Sequence, residues 1–146
     1  MELIELLRNV EMFEGLTDKQ LKKIAGIFEE RVLHQDEVLF LQGEKADCLY
    51  LIKSGFVELI VGASTSSGER VIRILGQGQS VGEMTWVDHG RRSATARSAT
   101  EGTTTVSVSF EALDELCERN PRIGYRVSRN IASDLSFRLR QDSEYF

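Results

Sequence analysis

Histidine, cysteine and proline are all scarce in this 146-residue chain, with two, two and one respectively. A metal-dependent barrel enzyme needs two or three imidazoles plus a carboxylate. His34 and His89 do not make such a cluster, and no carboxylate spacing completes a three-ligand set. Cys48 and Cys117 stand far apart in no ligand spacing, which predicts two free, buried thiols in a reducing compartment. Neither cysteine has a histidine near it in sequence, and no Gly-x-Ser-x-Gly elbow occurs, so nucleophilic catalysis has no candidate. Gly76-Gln77-Gly78-Gln79-Ser80-Val81-Gly82 matches a dinucleotide fingerprint only superficially, because no β-α-β unit surrounds it. Long apolar runs are missing too; nothing approaches the roughly 18 residues that span a membrane. The start, Met1-Glu2-Leu3-Ile4-Glu5, lacks the basic flank and apolar stretch of an export signal, so the expected compartment is the cytoplasm. Positive charge is in deficit. The formal net charge is -5, which opposes electrostatically driven binding to nucleic acid. The expectations are no enzyme activity, no cofactor, no metal and no membrane association.

What is present suits one domain spanning residues 1–146. Hydrophobic residues make up 41% of the chain, enough for a single core. Residues 1–30 read as N-terminal helices. Ile4, Leu6 and Leu7 repeat at helical spacing. Thr17-Asp18-Lys19-Gln20 reads as a capped start, predicting a helix from Asp18 to about Phe28 with Leu21, Ile24, Ala25 and Phe28 on one face. Residues 31–110 change texture. Short runs rich in β-branched and aromatic residues alternate with glycine turns, which predicts an all-β sandwich or barrel. Ala63-Ser64-Thr65-Ser66-Ser67-Gly68 reads as an exposed hairpin loop. Residues 111–146 turn helical again, with a short helix over 111–118 and Asn120-Pro121 as the cap of a longer one. Ile123, Val127, Ile131, Leu135 and Leu139 recur every four residues along it, either packed on the barrel or offered as a dimer seam.

Residues 82–94 concentrate the chemistry. Gly82-Glu83-Met84-Thr85-Trp86-Val87-Asp88-His89-Gly90-Arg91-Arg92-Ser93-Ala94 combines an acid, two adjacent arginines, a small hydroxyl and two glycines. A guanidinium meets phosphate oxygens as a rigid fork. Glycine lets backbone approach a ligand closely, successive amides can form an anion nest, and a carboxylate can accept from a ribose hydroxyl. Arg91 reads as facing solvent or meeting Asp88. Glu83 reads either as a ligand contact or as a structural acid satisfying backbone amides or Arg92.

This stretch resembles the phosphate-binding cassette of the cyclic nucleotide-binding domains. Two further segments agree in order: residues 41–55, with Gly43-Glu44 before a strand ending at Gly55, and Gly76 to Glu83, a glycine turn leading into the cassette. The resemblance covers about residues 5–140. It implies a mainly β fold with flanking α-helices, a double-stranded β-helix or jelly-roll-like barrel. Carried over by position, it implies that Glu83 binds the ribose 2′-hydroxyl, Arg92 pairs with the cyclic phosphate, and Ser93, beside Ala94, adds a hydroxyl. Gly82, Met84 and Thr85 would line the sugar and phosphate with backbone. Val71 and Leu75 would pack on the purine.

Arg92-Ser93-Ala94 is most similar to the bacterial catabolite-activator-type sensors, so the implied ligand is cAMP, with cGMP left open because Ser93 is neither the Ala nor the Thr of the sharper cases. The chain also departs from the pattern. Thr85 is β-branched where Ala or Gly is common, Trp86 is large, and Phe137-Arg138-Leu139-Arg140 stands where the activators carry a base-contacting Thr-Ser pair. With only six residues after Arg140, no DNA-reading domain is expected in cis. The expected function is a cyclic nucleotide sensor that signals through its C-terminal helices, by homodimerisation or to a separate effector protein. The alternative is a structural or protein-interaction domain of the same fold that binds no nucleotide.

Overall fold

Thr17 and Gln20 set the entry into the first long turn of helix. The Thr17 hydroxyl accepts from the Gln20 amide at 3.2 Å, and the Gln20 side chain accepts from the Thr17 amide at 2.9 Å. This reciprocal box satisfies two otherwise orphaned donors. The computed structural model describes residues 2–62 and 68–142; most of the expected hairpin loop, residues 63–67, lies outside them. Three short elements open the chain: α1 (Leu3–Arg8), a 3₁₀ turn (Glu11–Phe13) and α2 (Asp18–Ala25). α2 stops at Ala25, short of the predicted Phe28. Gly26 is its cap, a residue that gives helix little support. Phe28 instead meets Phe13 edge-on, with ring centroids 6.5 Å apart.

Among the described residues, eight strands follow: β1 (Glu29–Leu33), β2 (Val38–Phe40), β3 (Cys48–Ser54), β4 (Val57–Val61), β5 (Arg70–Leu75), β6 (Ser80–Val81), β7 (Thr95–Ser98) and β8 (Thr103–Ser109). The short helix α3 (Glu83–Asp88) interrupts them after β6. They form two four-stranded sheets, β1-β8-β3-β6 and β2-β7-β4-β5, and the pairings are antiparallel. This is the mainly β architecture with flanking helices that the sequence predicts, beginning at Glu29 rather than residue 31.

Strand alternation divides the apolar residues between two cores. In β3, Leu49 and Leu51 join Val106 and Val108 of β8 beneath the helices. Ile52 faces the other way, into a smaller core with Phe40, Val57, Leu75 and Ala96. α4 (Phe110–Arg119) starts one residue before the prediction because the Ser109 side chain caps it, accepting from the Ala112 amide at 3.0 Å. α5 runs from Pro121 to Gln141, with Pro at its start. Asn120 does not cap it with its side chain as expected. That amide donates to the Leu116 carbonyl and accepts from Lys23, tying α4 to α2.

The four-residue stripe on α5 divides along its length. Ile123, Val127 and Ile131 are buried against the helical core. Leu135 is half-buried, and Leu139 is exposed. The first half therefore packs as a core stripe, and in the last turns Leu139 faces solvent.

Candidate functional site

β6 delivers the chain to Gly82, whose φ of +111° is open to glycine and strained for other residues. A Cβ at Gly82 would lie 2.8 Å from an Arg92 nitrogen and 3.0 Å from the Cys48 carbonyl oxygen. The missing side chain thus makes room for the guanidinium. α3 begins at the next residue. The Thr85 hydroxyl bonds back to the Gly82 carbonyl at 2.9 Å, so the β-branched residue closes this turn and leaves the cavity open.

Arg92 is 5% exposed. Its Nη2 donates to the Cys48 carbonyl at 2.7 Å, and its Nη1 lies 3.5 Å from the Thr85 hydroxyl. The guanidinium carbon sits 4.1 Å above the Phe40 ring centroid and 5.7 Å from that of Tyr50. Aromatic faces attract such a cation. Burial lowers the Arg92 pKa from its ordinary value, yet an arginine remains charged at any relevant pH. Its backbone is fixed as well: the Arg92 amide donates to Glu44 and its carbonyl accepts from Gly43, both at 2.8 Å. The Gly43-Glu44 turn therefore holds the cassette arginine in place.

Arg91 behaves differently from Arg92. It is exposed, as the solvent-facing reading expects, and does not meet Asp88; its Nη1 donates to the Gly43 carbonyl at 3.0 Å. Asp88 accepts from the Gly90 amide instead. Glu83 accepts from the Ser80 hydroxyl at 3.0 Å, so its structural partner is a serine and not Arg92.

Gly82, Glu83, Met84, Thr85, Arg92, Ser93 and Ala94 all line one cavity of about 210 Å³. Leu75 lines it too, beside Leu59, Phe40 and Val81. Val71 does not; it is 45% exposed on β5. A bulge explains the miss. Leu59 pairs with Arg73 and Ile60 with Val71, so Ile72 is an extra residue and the alternation from Leu75 is broken before Val71.

Two charged residues at this cavity carry no role in the sequence reading. Arg73 reaches it from β5 and Arg138 from α5. The alternation of Arg73 with Leu75 was the available signal for the first. Arg138 stands in the segment where the base-contacting pair is absent. It also forms an ion pair with Asp134 at 2.9 Å.

Behind the cassette, the Trp86 indole donates to the Asp114 carboxylate at 2.7 Å and packs against the helical core. The large residue is thus a link to α4. The thiols are half-buried and free; burial pushes the Cys48 thiol up to about 11. No His/Cys/Asp/Glu cluster able to hold a metal occurs among the described residues. No described helix is long and apolar enough to cross a membrane.

Known proteins share this fold. Residues 30–120 match the family model described as "Cyclic nucleotide-binding domain". The chain is 34% identical over 130 residues to the cyclic AMP receptor protein of Thermus thermophilus, covering 89% of this chain and 57% of that protein. It therefore spans little more than half of that relative. Among solved structures, the N-terminal domain of a transcriptional regulator from Streptomyces coelicolor A3(2) superposes with a TM-score of 0.82 at 26% identity, covering 96% of this chain and 94% of that one. The catabolite activator protein of Thermus thermophilus superposes with a TM-score of 0.76 at 32% identity, covering 92% and 61%. With the Gly82 turn, the buried Arg92 and this match over most of the barrel, the chain belongs to the cyclic nucleotide-binding domain family.

Proposed function

We propose that the chain is a sensor module for a 3′,5′-cyclic purine nucleotide, cAMP or cGMP, and that it signals through its C-terminal helices. One observation carries this reading. Arg92 is a buried cation whose short hydrogen bond goes to a neutral carbonyl. A buried charge is costly unless it is paired, and a singly charged phosphodiester supplies the missing partner in fork geometry. Ser93 adds a hydroxyl donor at the same cavity. Glu83 accepts the ribose 2′-hydroxyl once it leaves Ser80. Leu59 and Leu75 offer an apolar floor to the purine. Gly82, Met84, Thr85 and Ala94 line the sugar and phosphate.

The signal passes through α3. Ligand on Arg92 and Glu83 favours one position of α3, and the Trp86–Asp114 bond passes that preference to α4 and the packed half of α5. The ligand shifts a population and undergoes no covalent change. The end of α5, with Phe137 and Leu139 exposed, is the output element, pairing with a second copy or with a separate effector. The module works in the cytoplasm, where cyclic nucleotides are made.

Calorimetric titration of the purified chain with cAMP and with cGMP tests the reading. A ligand at 100 times its dissociation constant adds about 2.7 kcal/mol to folding stability, so a rise in melting temperature is an independent check. No heat and no shift with either nucleotide at millimolar concentration would remove the sensor function.

A further inference from the structure

The outer face of α5 carries charge of one sign along its first turns. Arg122, Tyr125, Arg126 and Arg129 follow one another at i, i+3, i+4 and i+7, so they share one side of the helix. That side lies opposite the buried Ile123, Val127 and Ile131, and all four residues are exposed. None of the three arginines has an ion-pair partner among the described residues. Arg119 and Arg138, on either side of the row, do have one each, in Glu115 and Asp134. The row is held in place by neutral contacts. The Arg126 side chain lies along Gly15, where a Cβ would be 3.5 Å from its Cδ. Arg129 donates to the Tyr125 hydroxyl at 3.3 Å. Lys23 brings a further cation from α2, reaching Asn120 at 3.0 Å. Beside the row is a groove of about 390 Å³, lined by Leu16 and Gln20 on one wall and by Pro121, Arg122, Tyr125 and Arg126 on the other.

Helix stability does not account for this row. α5 has no acid in its first turn and places Arg122 there, at the positive end of the helix dipole, where a cation costs stability. Composition does not account for it either, since the chain is acidic at -5 overall. We propose that this face docks an acidic, extended segment of a partner protein, whose carboxylates meet Arg122 and Arg126 while an apolar side chain rests on Leu16 and Pro121. The spacing fits. Residues four apart on a helix are about 6 Å apart along its axis, and alternate residues of an extended chain are about 6.7 Å apart. The segment that matches therefore alternates as apolar-x-acid-x-acid. Tyrosine and arginine, the residue types offered here, are those that carry most binding energy at protein interfaces. A nucleic acid fits less well: the cations form a short row over an apolar floor, and the net charge of the whole chain repels a polyanion. No described residue of the cassette lines the groove, so the proposal stands apart from the cyclic nucleotide reading.

The test is selection on the full chain from a displayed library of random twelve-residue peptides, followed by fluorescence anisotropy of the selected peptides. The selected set is expected to carry two or more carboxylates at alternate positions beside an apolar residue. Their binding should weaken as salt rises. It should fall about tenfold or more in an Arg122→Glu, Arg126→Glu double variant, where attraction becomes repulsion, and should fall less in Arg122→Gln, Arg126→Gln. Tyr125→Ala should weaken it as well. The Glu variant should melt no lower than the parent, because an acid replaces a cation at the start of the helix, and its cyclic nucleotide titration should be unchanged. A selected set without acidic preference, acidic peptides that bind the Glu variant as well as the parent, or tighter binding of a single-stranded oligonucleotide than of any peptide would overturn the docking proposal. A lower melting temperature in both double variants would assign the arginines to the fold and overturn it too. None of these results touches the sensor reading, which stands or falls on nucleotide titration of the parent chain.

Discussion

The indole Nε1 of Trp86 and the carboxylate of Asp114 lie 2.7 Å apart, joining the cassette helix α3 directly to α4. A neutral donor to a charged acceptor typically contributes about 1.5–3 kcal/mol, less where the acceptor is in water. Asp114 is exposed, so Trp86→Phe is expected to cost about 1 kcal/mol of stability. Its larger effect is on communication. In the parent chain, ligand should slow amide exchange in α4 and α5 as well as in α3. In Trp86→Phe, protection in α3 should remain while that in α4 and α5 falls. Unchanged protection throughout would mean that α3 and α4 communicate by another route.

Arg92 and Arg91 are neighbours with different tasks, and their alanine variants should separate. Removing one partner of a desolvated, hydrogen-bonded charge pair typically costs about 2–5 kcal/mol of binding. Arg92→Ala should fall in that range by calorimetry. Arg91→Ala removes a bond to the Gly43 carbonyl and should weaken binding far less. Arg92→Lys should not restore affinity, since an ammonium has no planar fork to lie over Phe40 or to meet two phosphate oxygens.

Glu83 already accepts a hydroxyl, from Ser80, and the ribose 2′-hydroxyl is expected to replace it. Glu83→Gln keeps the volume and loses the charge, so affinity for the ribonucleotide should drop while the melting temperature of the free protein changes little. The 2′-deoxy analogue provides the control. It should bind parent and variant alike. An equal loss for both ligands would place the role of Glu83 in the shape of the cassette.

His34 offers a pH-dependent contact outside the site. Its Nδ1 meets the Glu101 carboxylate at 2.8 Å, and this bond, followed by attraction to Glu101 and Glu37, raises its pKa from 6.5. A raised folded-state value means that the contribution is complete below pH 6.5 and is lost as pH rises through the folded value. The Glu101 carboxyl is lowered, chiefly by the Gln35 amide and then by His34, so its contribution fades only in acid. Melting temperature should decline from pH 6 to pH 8 by a small amount that His34→Ala abolishes. An identical pH profile in the variant would assign the decline to other groups.

The legible and illegible parts of this chain differ for a physical reason. The cassette was readable because Gly82, Glu83, Arg92 and Ser93 are near one another in sequence and their chemistry is local. Phe40, Tyr50 and the Cys48 carbonyl, which hold the Arg92 guanidinium, come from β2 and β3 and reach it only through sheet pairing. Strict alternation misplaces Val71, because only the pairing of β4 with β5 reveals the bulge at Ile72. Helical spacing carries α2 too far because Phe28 fits the helical face, whereas its edge contact with Phe13 is tertiary. Arg73 and Arg138 come together from distant parts of the chain, and nothing in either segment names the other.

The α5 stripe gives the clearest test of what spacing alone can and cannot say. Five residues share one period, yet Ile131 is 6% exposed and Leu139 is 46% exposed. Truncating a packed aliphatic side chain removes transfer energy and leaves a cavity, so Ile131→Ala should cost about 2–5 kcal/mol in urea unfolding. Leu139→Ala touches no core and should stay within about 0.5 kcal/mol. A seam at this end of α5 then draws on Leu139, the half-buried Leu135 and the neighbouring Phe137, which is 62% exposed. That is less apolar surface than the full stripe suggests, so self-association should be weak and concentration-dependent. Light scattering should show a mass that rises with concentration in the parent chain and stays monomeric in Leu139→Glu. A strict monomer in both would leave docking to a separate effector as the remaining use of this helix end. A stable dimer unaffected by Leu139→Glu would place the seam on another face of the molecule.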